Sequence, residues 1–257
     1  MLKKASFLNA DRPLLTVVVQ ASTPAEAECI IADALYDGAD SFCIQLCNLL
    51  PEYRNEASLR RIFEACLGRP IYITSYRSGE SKKMGLNDDA CVDLLLMGLR
   101  AGATLCDVMG DLYHPEPQEL TFDPVAVEKQ KALIDKIHEM GGEVLISSHV
   151  HTYFDEDRIM EYAFEQARRG ADVVKIVSIA DDEEQMMVGL NAIHRLKREL
   201  DRPFLFLTNG RAGRLIRQFG PALGVCMYLC IEHFRPVNSK QQIPLRVAKQ
   251  LRDCMLL

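Results

Sequence analysis

The sequence predicts an α/β fold, a single (β/α)8 barrel of the TIM type with eight parallel strands, spanning residues 1–257. Short β-branched runs alternate with longer amphipathic segments along the chain, which is typical of repeated βα units. Three segments share one pattern, in which a glycine ends a helix just before a buried strand: DGADSF (37–42), RAGATL (100–105) and RRGADVV (168–174). No G-x-G-x-x-G motif follows the first strand, so an open dinucleotide-binding sheet is less favoured.

The strands are predicted from short apolar runs, at 15–20, 41–46, 71–75, 104–109, 144–148, 172–178, 204–208 and 223–229. The helices are predicted from amphipathic segments, at 24–36, 58–66, 88–100, 123–140, 155–168, 182–200, 213–219 and 244–254. Several of these helices begin with Asp, Ser or Thr at the N-cap, or with Pro in the first turn. The segment 110–121 is the one long, proline-bearing loop between a predicted strand and the next helix.

Composition narrows the class of protein. The net charge of −6 does not indicate a nucleic-acid-binding protein, because such proteins usually carry a basic surface. No run approaches the roughly 18 apolar residues of a membrane span. The nine cysteines are odd in number and include no C-x-x-C pair, so neither a disulfide framework nor a zinc knuckle is expected. The sequence therefore predicts a reduced, cytoplasmic protein with neither a nucleic-acid nor a membrane partner.

Lys175 lies in the middle of the apolar run VVKIV (173–177). A barrel strand of this kind is buried, and burial favours the neutral amine that attack on a carbonyl requires. The alternative is a lysine whose ammonium reaches solvent at the strand end. Val173 and Val177 share its side of the strand and favour burial, so we predict that Lys175 is the nucleophile of a Schiff-base enzyme.

His149 ends the preceding strand, at the carboxyl face where barrels carry their active sites. It should emerge beside Lys175, because the two strands are consecutive, and there it could transfer protons during imine chemistry. The alternative is a structural histidine. The H-x-H of His149 and His151 also suggests a metal pair, but the neighbouring strand ends offer only Glu80 and Asp107 as further ligands. We therefore expect no metal and no cofactor.

The segment LTNGRAGRLIRQFG (207–220) places a glycine-rich turn before a helix that carries Arg211, Arg214 and Arg217. Backbone N–H groups at such a turn suit an anion. The arginines either form a basic helix face or include one that reaches inward to bind a substrate carboxylate through two hydrogen bonds.

Together these segments resemble the type I 3-dehydroquinate dehydratases, the Schiff-base lyases of the shikimate pathway and aromatic amino acid biosynthesis. The resemblance runs in order through most of the chain. GADVVK, ending at Lys175, is nearly the family's G-A-D-I-V-K strand, and Ser147-Ser148-His149 resembles its Ser-x-His. Further matches are Thr74, Arg77 and Glu80 after strand three, the turn that leads to Arg217, and NSKQQ with Asn238 and Gln242 at the family's lid.

The resemblance implies a role for each of these positions. Lys175 forms an imine with the C3 ketone of a cyclic keto acid, and His149 takes the C2 proton and then protonates the departing hydroxide. Glu80 joins the catalytic residues. The residues implied to bind substrate are Arg217 as the carboxylate clamp, Gln242 and Asn238 at the lid, Arg77, and Gln45 and Cys43 on strand two. A homodimer is the assembly that the family suggests.

The sequence departs from the family at the wall that binds the ring hydroxyls. Cys43 and Gln45 replace the strand-two Glu and Arg, Met109 replaces an acid of strand four, and Val150 replaces the Asp after the histidine. We therefore predict a dehydratase of 3-dehydroquinate or a related hydroxylated keto acid. The alternatives are a class I aldolase-like barrel with a phosphorylated substrate, and a catalytically silent relative that binds a shikimate-pathway metabolite.

Overall fold

The structure is a computed structural model that describes residues 5–77 and 86–255. Its strands are β1 (Leu14–Val19), β2 (Ser41–Gln45), β3 (Ile71–Thr74), β4 (Leu105–Met109), β5 (Glu143–His149), β6 (Val173–Ile179), β7 (Phe204–Asn209), β8 (Met227–Ile231) and β9 (Ile243–Pro244). Its α-helices are α1 (Pro24–Asp37), α2 (Glu56–Ala65), α3 (Asp88–Ala101), α4 (Pro124–Glu139), α5 (Glu156–Arg168), α6 (Glu183–Glu199), α7 (Gly213–Leu223) and α8 (Leu245–Met255). None of the helices in the described ranges is long and apolar enough to cross a membrane.

The strands form one parallel sheet in the order β7-β6-β5-β4-β3-β2-β1-β8-β9. The prediction of a closed eight-stranded barrel was therefore wrong in detail: the sheet is curled and TIM-like, but the described residues contribute nine strands to it. Within the described residues no ladder joins β7 to β8, although Cys226 N donates a hydrogen bond to Phe204 O. The physical reason is that β9 pairs with Cys230 and Ile231 of β8, along the edge that β7 would need.

The helix ends follow the predicted signals. Six helices begin at a residue whose side chain accepts a hydrogen bond from a backbone N–H of the first turn: Thr23, Asn55, Asn87, Asp123, Asp155 and Asp182. Gly38 and Gly102 end α1 and α3 with φ of 93° and 119°, in the left-handed region that other residues avoid. These caps confirm that the chain is a series of βα units.

The C-terminal elements differ from the prediction. Helix α7 was expected to end at Phe219, but it continues through Pro221 to Leu223. A proline in the last turn removes only one helical hydrogen bond, so it does not have to stop the helix. Strand β8 consequently begins at Met227, and Pro244 pairs in β9 where the first turn of the last helix was expected.

The sheet interior carries polar side chains among its apolar residues. Lys175, Asp107, Ser147 and Thr74 are buried on the strands β6, β4, β5 and β3. Residues Ser147 and Lys175 are direct partners in the parallel register. Because all these strands run in one direction, their carboxyl ends bring this buried polar group and the following loops to one edge of the sheet.

Candidate active site

A cavity of about 1120 Å³ opens at the carboxyl ends of the strands. It is lined by residues from five strand ends or the loops that follow them: Gln45, Tyr76, Arg77, Leu86, Asn87, Met109, Asp111, Pro115, Glu116, Pro117, Glu119, His149, His151 and Asn209. Five of these residues, Gln45, Arg77, Met109, His149 and His151, were discussed individually in the sequence analysis.

Lys175 is buried, as predicted, with 4% of its surface exposed. Its surroundings are not apolar, because the ammonium donates hydrogen bonds to Tyr72 Oη (3.1 Å), Tyr76 Oη (2.9 Å) and Asp107 Oδ2 (3.2 Å). An ammonium has three N–H donors, and here each has an acceptor. The resting site therefore stabilises the charged lysine, and attack on a carbonyl requires a proton to leave it first.

Asp107 is the centre of this network. Its Oδ2 accepts hydrogen bonds from the hydroxyls of Tyr72 and Tyr76, and its Oδ1 accepts one from Ser147 Oγ at 2.5 Å. Burial by itself raises the pKa of Asp107, but the Lys175 charge and these hydrogen bonds outweigh it and hold that pKa below its usual value. Asp107 is thus ionised at rest, and its Oδ2 is the carboxylate oxygen that contacts the Lys175 ammonium.

The two tyrosines differ in what they contact. Tyr72 is fully buried, whereas Tyr76 lines the cavity and its ring meets the His149 ring edge-on, with centroids 5.0 Å apart. Burial, and then the neighbouring Asp107 charge, raises the pKa of both phenols well above the usual value. Both therefore stay protonated, and Tyr76 connects the predicted base to the predicted nucleophile.

His149 ends β5 and is fixed by the loop 110–121. Glu119 Oε2 lies 2.9 Å from His149 Nδ1 and also accepts the His149 backbone N–H at 2.7 Å. Burial raises the pKa of Glu119, but the hydrogen bonds and charge of His149 lower it further, so the carboxylate stays ionised. An ionised acceptor at Nδ1 places the proton there and leaves Nε2 as the basic nitrogen.

The loop reaches His149 because of two local features. Glu119 has φ of 49°, in the left-handed region, and Ser148 Oγ donates to its backbone oxygen at 2.7 Å. At Gly110 a side chain would begin 2.6 Å from Glu119 O, so only glycine permits this approach. The positive φ of Glu119 has a cost that these hydrogen bonds offset, and its effect is to orient the histidine.

Arg217 is the buried one of the three arginines that follow β7, whereas Arg211 and Arg214 are exposed. Its Nε donates to Thr208 O and its Nη2 donates to Asn209 Oδ1, both at 2.8 Å. In the described part of the chain it has no carboxylate partner, and its Nη1 has no acceptor. Burial lowers the pKa of Arg217 to about 10. A buried guanidinium without a counter-charge, bonded to a residue that lines the cavity, is suited to an anionic ligand.

The structure places Arg77 at the cavity, but its charge is already compensated. Its guanidinium contacts Asp88 Oδ1 at 2.6 Å and Asp111 Oδ1 at 2.5 Å. Asp88 begins α3, and Asp111 begins the loop 110–121. Arg77 therefore joins two walls of the cavity and is a weaker anion site than Arg217.

The remaining predicted residues are less closely grouped. Cys43 is buried beneath the cavity and does not line it, and burial raises the pKa of its thiol. Gln45 lines the cavity and accepts a hydrogen bond from Gln20, which in turn accepts one from Asn238. Gln242 is half-buried, and its Oε1 has no partner among the described residues. Glu80 lies outside the described residues.

The sequence interpretation missed Tyr72, Tyr76, Glu119 and Gln20, and considered Asp107 only as a metal ligand. One signal was available for Asp107. An aspartate inside the apolar strand LCDVM needs a buried counter-charge for the same reason that Lys175 does. No group of three metal-binding side chains that could hold an ion occurs within residues 5–77 and 86–255.

The chain matches one known protein family over most of its length. The family described as type I 3-dehydroquinase matches residues 15–253. A 3-dehydroquinate dehydratase of Alkaliphilus oremlandii is 32% identical over 108 residues, which is 41% of this chain and 41% of that protein. The match thus spans about two fifths of that relative's length.

Solved structures show the same fold. The 3-dehydroquinate dehydratase of Geobacillus kaustophilus superposes with a TM-score of 0.80 at 16% identity, over 96% of this chain and 92% of that one. The type I enzyme of Clostridium difficile, solved with covalently modified comenic acid, gives 0.79 at 17% identity over 99% and 98%. Since the family match covers nearly the whole chain, the protein belongs to the type I 3-dehydroquinase family.

Proposed function

We propose that the chain dehydrates 3-dehydroquinate, or a closely related hydroxylated keto acid, through an imine on Lys175. One observation carries the proposal: a buried lysine with a carboxylate and two phenols around its amine lies next to a cavity that also exposes an oriented histidine. A buried ion pair by itself adds little stability, so stability alone does not account for a charged lysine inside the sheet.

The first step activates the lysine. Asp107 takes a proton from the Lys175 ammonium, directly across 3.2 Å or through the Tyr76 hydroxyl that contacts both groups. The neutral amine then attacks the ketone carbon, and the resulting carbinolamine loses its former carbonyl oxygen as water to give a protonated imine. The positive imine nitrogen remains beside the Asp107 carboxylate once that proton has been passed to the departing water.

The second step eliminates the hydroxyl group. The imine acidifies the adjacent C–H bond, and His149 Nε2 accepts that proton because its Nδ1–H is bonded to Glu119. The same histidine returns the proton to the hydroxide that leaves from the next carbon, so the base is regenerated. Hydrolysis of the imine releases the unsaturated product and restores Lys175.

Arg217 supplies the recognition of the acid. It does not line the cavity itself, but it is bonded to Asn209, which does, and its Nη1 has no acceptor among the described residues. The exposure of Arg211 and Arg214 favours a carboxylate at Arg217 over a phosphate spread along the helix. The opposite wall, at Gln45 and Met109, is uncharged, so we propose that it binds neutral hydroxyl or carbonyl oxygens.

Borohydride reduction tests the proposal. Incubation with 3-dehydroquinate and sodium borohydride should add the mass of one reduced ligand to the intact protein, and peptide mapping should place it on Lys175. The variant Lys175→Ala should trap nothing, whereas Lys249→Ala, which removes an exposed lysine of α8, should trap as the natural protein does. Trapping that persists in Lys175→Ala would move the imine to another lysine, such as Lys82 or Lys83.

The same experiment separates the alternatives. Trapping of a phosphorylated keto sugar but not of 3-dehydroquinate, with loss of affinity in Arg211→Ala, would support the aldolase-like reading. Binding of 3-dehydroquinate without trapping or turnover would support a silent binding protein.

A further inference from the structure

A chain of three side-chain amides runs from the segment 235–242 to the cavity. Asn238 Nδ2 lies 2.8 Å from Gln20 Oε1, and Gln20 Nε2 lies 2.9 Å from Gln45 Oε1. Gln20 follows β1, and Gln45 ends β2 and lines the cavity. We call Asn238, Gln20 and Gln45 the amide relay. Neither Gln20 nor the relay follows from the role that the family resemblance gave to Asn238.

The direction of the relay is fixed at one end. An amide can be turned end for end, so its orientation must come from a partner with a single possible role. Asn238 Oδ1 lies 2.9 Å from the backbone N of Arg235, and a backbone N–H can only donate. Asn238 must therefore accept there with its oxygen and offer its N–H groups to Gln20.

Each following amide then takes the same direction. Gln20 accepts from Asn238 with its oxygen, so its own N–H groups are left to donate to Gln45. Gln45 accepts with its oxygen, and its Nε2 has no acceptor among the described residues. Since Gln45 lines the cavity, the relay leaves two N–H donors there and no acceptor at this position.

We propose that Gln45 is a specificity-determining residue whose N–H groups bind an oxygen of the ligand, and that Gln20 and Asn238 are positioning residues that hold it in this orientation. The ligand group is a hydroxyl, carbonyl or carboxylate oxygen that accepts a hydrogen bond. This proposal rests on the proposed function only for the identity of the ligand, because the relay itself exists in the free protein.

Substitution at the remote end should reverse the relay without touching the cavity. In Asn238→Asp the new carboxylate still accepts the Arg235 N–H but cannot donate to Gln20. Gln20 should then turn to donate to position 238 and present its oxygen to Gln45, and Gln45 should turn in response. Its N–H groups would become bonded and its oxygen would face the cavity. Asn238→Ala is the matched control, because it removes the end of the relay without imposing a direction.

The direct readout needs no ligand. In protein with 15N-labelled glutamine side chains, the Gln45 NH2 signals are those that disappear in Gln45→Glu. We expect these protons to exchange freely with solvent in the natural protein and to be slowed at least about tenfold in Asn238→Asp, since they gain a protein acceptor. Protected Gln45 signals in the natural protein, or unchanged exchange in Asn238→Asp, would overturn the relay.

A second readout links the relay to the ligand. The KM for 3-dehydroquinate should rise roughly five- to tenfold in both Gln45→Glu and Asn238→Asp, because an acceptor now faces the ligand oxygen. Asn238→Ala should show a smaller rise. If exchange changes as expected while KM is equal in all variants, the Gln45 N–H groups do not bind the ligand and the proposal is wrong. If the natural protein neither traps nor dehydrates 3-dehydroquinate, the proposed function fails, and the exchange experiment still decides the relay.

Discussion

Lys175 Nζ and Asp107 Oδ2 form an ion pair of 3.2 Å inside the sheet, where both side chains are almost completely shielded from water. A charge in such a place is tolerated only with a partner and with its other hydrogen bonds satisfied. Ser147, Tyr72 and Tyr76 supply those hydrogen bonds. These contacts together allow a charged lysine to be buried inside the sheet.

The pair should be visible in stability measurements. Asp107→Asn leaves the Lys175 charge buried without its partner, and we expect it to lower the free energy of unfolding by about 3–5 kcal/mol. Adding Lys175→Met should restore much of that loss, because the uncompensated charge is gone. Urea unfolding of the two single variants and the double variant measures the coupling. Additive effects would show that the two charges do not interact.

The stability difference between the natural protein and Asp107→Asn should also depend on pH. The pKa of Asp107 is lowered in the folded protein, because the Lys175 charge and the hydrogen bonds outweigh burial. A lowered pKa contributes stability above the unfolded value of about 3.9, and that contribution disappears as pH falls through the folded value. The difference should thus be constant from about pH 8 to 5 and shrink below about pH 4. A difference that grows on acidification would mean that Asp107 is protonated in the fold.

Substitutions of the two tyrosines should have different effects, one mainly on catalysis and the other mainly on stability. Tyr76→Phe removes the hydroxyl that touches both Lys175 and Asp107 at the cavity, so imine formation should slow about 10- to 100-fold. Tyr72→Phe removes a fully buried hydroxyl and should mainly lower the free energy of unfolding, by about 1–3 kcal/mol. The rate of imine formation is measured by adding borohydride at successive times and determining the trapped fraction. Urea unfolding gives the free energy of unfolding. Equal loss of rate in both variants would show that Tyr76 has no special role.

The sequence allowed much of this architecture to be predicted, and the limits have physical causes. Alternating βα units and their glycine and aspartate caps are local signals, so the order of strands and helices followed from them. The sequence did not show that the sheet would differ from a closed eight-stranded barrel. The reason is that the pairing of Ile243 and Pro244 with β8 is a long-range contact with no local pattern. The end of α7 was misplaced, because the helix continues through Pro221 to Leu223.

The residues of the candidate site also divide into those that the sequence could identify and those that depend on long-range contacts. Lys175 could be nominated because a charge within an apolar run is unusual in sequence, whereas the family resemblance singled out Arg217 from Arg211 and Arg214. Both Lys175 and Arg217 are buried. Glu119 could not be found, since its contact with His149 depends on the course of the loop 110–121. Gln20 was equally hidden, because its partners Gln45 and Asn238 lie 25 and 218 positions away.

Glu119 should matter for proton transfer more than for binding. Glu119→Gln can still accept the His149 Nδ1–H, but it carries no charge to stabilise the imidazolium that forms when His149 takes a proton. We expect kcat to fall about tenfold or more, with KM and borohydride trapping little changed. Glu116→Gln, on the same loop and also at the cavity, is the matched control. Equal losses in the two variants would indicate a general effect of loop charge.

Substitution of Arg217 should show whether this residue binds a carboxylate in a fixed direction or acts only through its positive charge. Its Nε and Nη2 are held by Thr208 and Asn209, which leaves Nη1 to meet a carboxylate in a fixed direction. Arg217→Lys keeps the charge but loses the planar fork and both anchoring contacts, so KM for 3-dehydroquinate should rise strongly. A charge-assisted hydrogen bond is worth about 1.5–3 kcal/mol, which corresponds to roughly 10- to 150-fold in KM. Arg214→Lys, on the exposed face of the same helix, should leave KM unchanged. If Arg214 or Arg211 proves critical while Arg217→Lys is silent, the anion binds at the start of α7 and the phosphate-binding alternative becomes the better account.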